Sequence, residues 1–396
     1  MVDVAVNPAE AAEAVVRRSY GKLVAFLAVR THDVAAAEDA LSEAFAAALT
    51  DWPVKGCPAN PEAWLLTVAR RKAIDLARTQ KRQDSLEFVP AYEAVEIPDQ
   101  RLALLFTCAH PAIDEAIRAP LMLQVVLGLD AAAIASAFLM SPHAMSKRLV
   151  RAKDKIRQAG IPFRVPEREE LPARLDAVLN AIYASFADAW TDPAGLPDEA
   201  LFLARLVTEL MPNEPEALGL LALMLHAEAR RHARRSPNGG YIPLADQNPA
   251  LWNQQHIAEA ESLLHHGSQL GNIGRFQLEA ALQSAHAHRI QTGVNNWAQV
   301  AQLYDALYSL TESPVVAINR ALAIAETEGP ETALATLPID PRLDQYQPYW
   351  AAKAALCAQA GQIPAARQAY EIAIGLEKDP AVRQFLQRRQ SKLPPC

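Results

Sequence analysis

The fifteen residues His143-Ala-Met-Ser-Lys-Arg-Leu-Val-Arg-Ala-Lys-Asp-Lys-Ile-Arg157 hold six basic side chains and one acid, Asp154. At helical spacing, Met145, Leu149, Ala152 and Ile156 share one face, while Lys147, Arg148, Arg151 and Lys155 emerge away from it. Such a helix buries one stripe and offers cations to phosphate. A second basic run, Pro61-Glu-Ala-Trp-Leu-Leu-Thr-Val-Ala-Arg-Arg-Lys-Ala-Ile-Asp-Leu-Ala-Arg-Thr-Gln-Lys-Arg82, can turn Leu65, Val68, Ala69 and Leu76 inward. Arg71, Asp75, Arg78 and Arg82 then lie along another stripe. Trp64 and Thr67 near its start suit single-stranded nucleic acid, where charge tracks phosphates and side chains receive bases.

Other chemistries find no such pattern. Cys108 and His110, and the scattered His226, His232, His265, His266, His286 and His288, show no zinc-ligand spacing. There is no GxxxxGK[ST], no GxGxxG after a strand and no GxSxG elbow. Glu169 and Glu170 sit beside prolines in a polar stretch and read as solvated. The expectation is a protein without catalytic residues, metal or cofactor.

Short elements must position the first basic helix. Leu121–Leu127 reads as a helix ended by Gly128, and Asp130 can cap a short second helix carrying Ile134, Ala135 and Phe138. Ser141-Pro142 then supplies an N-cap with proline at the first helical position. A solvated surface helix would explain the charge but not this capped three-helix context, which describes a helix-turn-helix reader of the major groove. Upstream, apolar residues recur at helical spacing through Val15, Tyr20, Leu23, Phe26, Leu27, then Ala37, Leu41, Phe45 and Leu49, with Asp33 as a cap between.

The whole chain fits this frame. Its 396 residues exceed one ordinary domain, 51% are apolar, and only 15 are glycine, which favours an all-α protein. The net charge of −7 lies mostly in the C-terminal part: residues 1–170 carry 21 basic and 22 acidic side chains, residues 171–396 carry 17 and 23. No segment approaches a membrane span, no secretory signal begins the sequence, and Cys57, Cys108, Cys357 and Cys396 lie far apart. A reduced, cytoplasmic protein is expected. Beyond the proline-stiffened Ala159–Pro166 the chain is again helical, and Trp350, Gly361, Ala366, Tyr370 and Ala373 match the tetratricopeptide spacing.

Residues 8–158 resemble the extracytoplasmic-function (ECF) subfamily of sigma-70 factors. His32-Asp-Val-Ala-Ala-Ala-Glu-Asp-Ala-Leu-Ser-Glu-Ala-Phe45 is similar to the family's helix that grips the clamp coiled coil of RNA polymerase β′. Ala63-Trp-Leu-Leu-Thr-Val-Ala-Arg70, with Asp75 and Arg78, looks like the part that recognises the minus-ten element, and Arg148-Leu-Val-Arg-Ala-Lys153 like the minus-thirty-five reading helix. Ile97–Pro111, Ile161–Pro166, Gly219–His226 and Ser313–Ala321 are similar to the group with a long tetratricopeptide-like C-terminal extension. The family usually has Asn where this chain has Arg71, and Glu where it has Ala133. A more polar family segment is replaced here by Ala184-Ser-Phe-Ala-Asp-Ala-Trp190.

The resemblance implies sigma region 2 over 8–85, a linker over 86–99, sigma region 4 over 100–158, a connector over 159–172 and a helical-repeat extension over 173–396. It implies polymerase contact through Asp39, Glu43 and Phe45, with the β flap as a second contact on core. DNA contact falls to Trp64, Thr67, Arg70, Arg71, Lys72, Arg78, Arg82, His143, Lys147, Arg148, Arg151 and Lys155. Promoter DNA and core polymerase are the expected partners, with a regulatory partner for the extension and no membrane. The competing reading is a free-standing helix-turn-helix regulator with a repeat-type sensor domain, which leaves the Asp33–Phe45 helix and the second basic run unexplained.

Overall fold

The computed structural model describes residues 8–79, 97–138, 140–188 and 197–394. Among them the chain is all-α, with no strand and one isolated bridge between Arg235 and Tyr241. It divides into two compact units, Met1–Leu210 and Met211–Cys396.

The first unit opens with α1 (Pro8–Thr31), α2 (Val34–Lys55) and α3 (Pro61–Thr79). Between α1 and α2 the chain turns through His32 at φ 52, and the Asp33 side chain accepts the Ala36 N–H at 3.1 Å. The inner stripe of α2 is Val34, Ala37, Ala40, Leu41, Ala44, Ala48 and Trp52 at helical spacing; its alanines let α1 and α3 come close, while Leu41 and Trp52 fill the core between them. Asn60 caps α3 by accepting the Ala63 N–H, and Ser19 on α1 donates to Glu62.

Four more helices follow: α4 (Arg101–Cys108), α5 (Glu115–Leu127), α6 (Ala131–Ala137) and α7 (Pro142–Gln158). Asp114 caps α5, which ends at left-handed Gly128. Asp130 accepts the Ala132 and Ala133 N–H groups at 2.8 Å each, and Ser141 accepts from Ala144 ahead of Pro142. Met145, Leu149, Ala152 and Ile156 are the buried residues of α7, the face that periodicity selects.

These helices pack directly on the first three. Helix α1 meets α4 and α5, and α2 meets α7. The approach of α1 to α5 is close enough that a Cβ on Gly21 would overlap the Val126 carbonyl. Mid-helix glycine costs about 1 kcal/mol relative to alanine, so this contact is the physical reason for Gly21. The Tyr20 ring lies against Gly128, 2.9 Å from where a Cβ would stand.

The connector at 159–172 does not part the two units. Ile161 and Phe163 are buried, and the Thr107 hydroxyl donates to the Pro162 carbonyl at 3.2 Å. Beyond it, α8 (Leu171–Asp188) and α9 (Pro197–Leu210) still belong to the first unit. Helix α8 buries Leu175, Val178, Leu179 and Ile182 and packs on α4 and α5, while α9 packs on α8 and α5. The chain therefore divides after Leu210, 38 residues past Pro172, because the apolar face of α8 is core to α4 and α5.

The second unit is a run of helices: α10 (Pro215–Ala229), α11 (Gln254–Gln269), α12 (Arg275–Thr292), α13 (Trp297–Thr311), α14 (Pro314–Glu328), α15 (Pro330–Thr336), α16 (Gln347–Gln359), α17 (Ile363–Leu376) and α18 (Pro380–Ser391). Helix α10 is apolar nearly all round and buried between α11 and α12. Its Glu216 reaches the start of α12 and accepts the Phe276 and Gln277 N–H groups at 2.9 and 3.2 Å, replacing a cap that Gly274 lacks. Helices α16 and α17 turn back at Gly361, φ 72, and close on Ala354, Ala369, Tyr370 and Ala373 with Trp350 against them.

Candidate nucleic-acid interface

Helix α7 presents His143, Lys147, Arg148, Arg151 and Lys155 to solvent. Val150 stands beside them, 54% exposed, and Asp154 keeps 44% of its side chain exposed on the same mostly cationic face. The other two cations point elsewhere. Lys153 donates to Glu38 of α2 at 2.7 Å, and Arg157 lies 2.6 Å from Asp154 and 3.5 Å from Asp33. A single basic helix thus divides its charge between an open side and α2.

Helix α3 separates its candidate residues differently. Trp64 is half-buried, its ring edge-on to buried Trp52 at 5.5 Å between centroids. Thr67 is exposed, with its hydroxyl donating to the Ala63 carbonyl at 2.8 Å. The Arg70 guanidinium sits 5.3 Å from the Phe26 ring, at the edge of a shallow pocket lined by Phe26, Ala63, Leu66, Thr67, Ile97 and Pro98. The chain leading into α4 therefore returns to the α3 surface. Arg71 and Lys72 are exposed, and Lys72 approaches Glu43 at 3.4 Å. The side chain of Arg78 and the whole of Arg82 lie outside the described residues.

On α2, Asp39 and Glu43 are exposed one turn apart and form a single acidic stripe. Phe45 is half-buried and lies about 200° round the helix from Glu43. The structure brings Asp39 and Glu43 together and places Phe45 on another side.

Sequence reasoning passed over the neighbours of that stripe. Glu38 and Lys153 keep 13% of their side-chain surface each, and the Tyr20 hydroxyl lies 3.5 Å from Glu38. Burial pushes the Glu38 carboxyl above its usual range, with Lys153 pulling the other way. Burial, then Glu38 itself, raises the Tyr20 phenol, so it stays protonated. Gly21, an unpunctuated glycine within a helical run, is the one signal that could have announced a close approach there.

Residues 15–83 match the sigma-70 region 2 model, which spans α1 to α3 and the acidic stripe of α2. Residues 174–268 match a family described as of unknown function, DUF6596. No solved structure matches the chain. The uncharacterized protein R00370 of Rhizobium meliloti (strain 1021) is 37% identical over 362 residues, covering 86% of this chain and 86% of its own. The chain therefore carries a sigma-70 region 2 at its N-terminal side and belongs to one family with that Rhizobium protein.

Proposed function

We propose that the protein is a sigma factor of the ECF subfamily that directs core RNA polymerase to specific promoters, with a tetratricopeptide-like C-terminal extension. One observation carries the reading: the region 2 match over α1 to α3 is followed, in the same compact unit, by the capped basic helix α7 with four Lys and Arg side chains turned to solvent. In this reading residues 8–85 act as region 2, 86–99 as linker, 100–158 as a helix-turn-helix region 4, 159–172 as connector and 173–396 as extension.

The work is binding rather than bond-making. Asp39 and Glu43 meet basic residues of the β′ clamp, with Phe45 at the margin, and region 4 rests on the β flap. Helix α7 enters the major groove at the minus-thirty-five element, where Arg148 and Arg151 can read base edges and His143, Lys147 and Lys155 meet phosphate. Helix α3 takes the opened minus-ten strand through Trp64, Thr67, Arg70, Arg71, Lys72, Arg78 and Arg82. The helical-repeat extension supports this activity or holds a regulatory partner.

Run-off transcription with core polymerase on genomic fragments tests the proposal, and discrete transcripts that depend on the protein are the expected result. Tight, sequence-specific binding to duplex DNA by the protein alone, with no effect on core, would replace it with a free-standing regulator.

A further inference from the structure

Arg230 closes α10 as a buried cation, 7% exposed. Its Nε donates to the His226 carbonyl at 3.1 Å, and its Nη2 donates to the Gln283 side-chain oxygen on α12. Both acceptors are neutral, and among the described residues no carboxylate pairs with Arg230. Those bonds use two of the five guanidinium N–H groups, and the Nη1 edge stays open to solvent without a protein acceptor. Burial lowers its pKa to about 10, so it remains charged at neutral pH. Neighbouring cations add to that charge. Arg234 lies four residues on, and the carboxylate that acts on it, Glu228, is held by Arg231 at 2.7 Å. The last carbonyls of α10 offset part of this field. A buried charge is strongly unfavourable unless an opposite charge stands beside it.

Unpartnered polar atoms gather at the same place. Trp252 Nε1, His256 Nδ1 and His286 Nδ1 are buried without a hydrogen-bond partner. Trp252, 4% exposed, packs on Ala229, Ile257 and Ala287, the chain neighbours of Arg230, His256 and His286. An indole N–H can only donate, and an imidazole offers a donor at either nitrogen according to its tautomer. Gln283 and His286 stand three residues apart on one face of α12, which brings His286 beside the Arg230 fork. The charge of Arg230 is one of those that keep the imidazole neutral.

We propose that Arg230, with Trp252 and His286 beside it, is an oxyanion site that takes the carboxylate or phosphate group of a small molecule. The free N–H groups of the guanidinium fork receive two of its oxygens, and the indole N–H supplies a further contact. The site joins α10, α12 and the segment between α10 and α11. That segment also holds the far end of the second unit, with Arg235 pairing with Asp379 and the Tyr241 ring meeting Phe385 at 5.5 Å. An anion that neutralises Arg230 stabilises this packing without polymerase or DNA.

Calorimetric titration of the full-length protein tests the site, with inorganic phosphate and succinate as separate probes at fixed ionic strength in a buffer free of other oxyanions. At least one should bind saturably, one per chain, and raise the melting temperature. Binding of phosphate alone marks a phosphorylated ligand, of succinate alone a carboxylate, and of both an oxyanion without further selection. Arg230→Met should abolish binding while helical circular dichroism is unchanged. Should that variant fail to fold, Trp252→Phe keeps an aromatic ring in the core, removes the N–H, and should weaken binding on the order of tenfold. In the parent, the bound anion should also raise the His286 pKa, read by NMR of the imidazole. Lack of saturable binding of either probe at millimolar concentration overturns the site. So does binding unaltered in both variants, which would leave Arg230 as a cap on the last carbonyls of α10.

Discussion

Lys153 of α7 donates to Glu38 of α2 at 2.7 Å, each side chain only 13% exposed, across 115 residues of sequence. Removing one member of such a pair strands the other charge in a dry contact, whereas replacing both with apolar groups avoids that cost. Glu38→Ala should therefore destabilise the first unit by about 3 kcal/mol in urea unfolding, and Glu38→Leu with Lys153→Met by much less. Equal losses in the single and double variants would show that burial of the charges is not what the contact depends on.

The acidic stripe of α2 gives the second prediction. Glu43 already pairs with Lys72, but both are largely exposed and the pair is worth under about 1 kcal/mol. Asp39→Lys with Glu43→Lys should leave the melting temperature within a few degrees of the parent and abolish co-purification with core polymerase. Core retained at parental levels by this double variant removes the proposed docking face. Phe45→Ala should weaken the association less, since Phe45 lies away from the stripe.

Arg148 and Arg151 project from the open side of α7. Substituting either with alanine should weaken promoter use. A lost base-edge contact costs roughly 1–3 kcal/mol and relaxes sequence preference at one position, while a lost phosphate contact lowers affinity evenly and flattens the salt dependence. Footprints unchanged in both variants would mean that α7 does not face DNA.

How far the sequence carries can be seen within α7 itself. Its four buried residues follow from periodicity, and its start follows from Ser141-Pro142, because both signals are local. The destination of Lys153 is not local: periodicity sets Lys155 away from the buried stripe, but a partner of Lys153 115 residues away leaves no periodic trace. The same limit hid the allegiance of α8 and α9. Pro162, Pro166 and Pro172 mark a stiff connector, but only packing decides which core the next helix joins, and Leu175, Val178 and Ile182 join that of α4 and α5. The family resemblance groups Phe45 with Asp39 and Glu43, and helical geometry puts it on another side of α2 from their stripe.

In the second unit, burial lowers the His286 imidazole from its ordinary 6.5 to about 4, with the charges of Arg289 and Arg230 adding to the effect. A depressed histidine stays neutral in the folded protein while the unfolded chain takes up a proton, so its contribution is complete above pH 6.5 and disappears as pH falls toward 4. The loss amounts to about 3 kcal/mol across that window. Unfolding monitored between pH 7 and pH 4.5 should show it, and His286→Gln should remove the pH-dependent part. An unaltered slope in that variant would place the titrating group elsewhere.

Shortening the chain tests both the packing and the role of the extension. A fragment ending at Val165 keeps α1 to α7 but strips α8 and α9 from α4 and α5, uncovering surface against which Leu175, Val178, Leu179 and Ile182 are now buried. It also removes Arg174, whose guanidinium donates to the Phe106 carbonyl at 2.6 Å. Fully burying each aliphatic side chain contributes about 1.5–3 kcal/mol, so the four together approach the whole stability of an ordinary domain. The 1–165 fragment should aggregate or melt far below the parent, and a fragment ending at Leu210, where the compact units divide, should remain soluble and cooperative. The longer fragment retains Asp39 and Glu43 on an intact α2 and should bind core. If the extension supports initiation, as proposed, 1–210 should form holoenzyme and still give weak run-off transcription. Transcription from 1–210 stronger than from the full-length protein would reverse that role and make the second unit an inhibitor, and a stable, monomeric 1–165 fragment would show that α8 and α9 are dispensable to the first core.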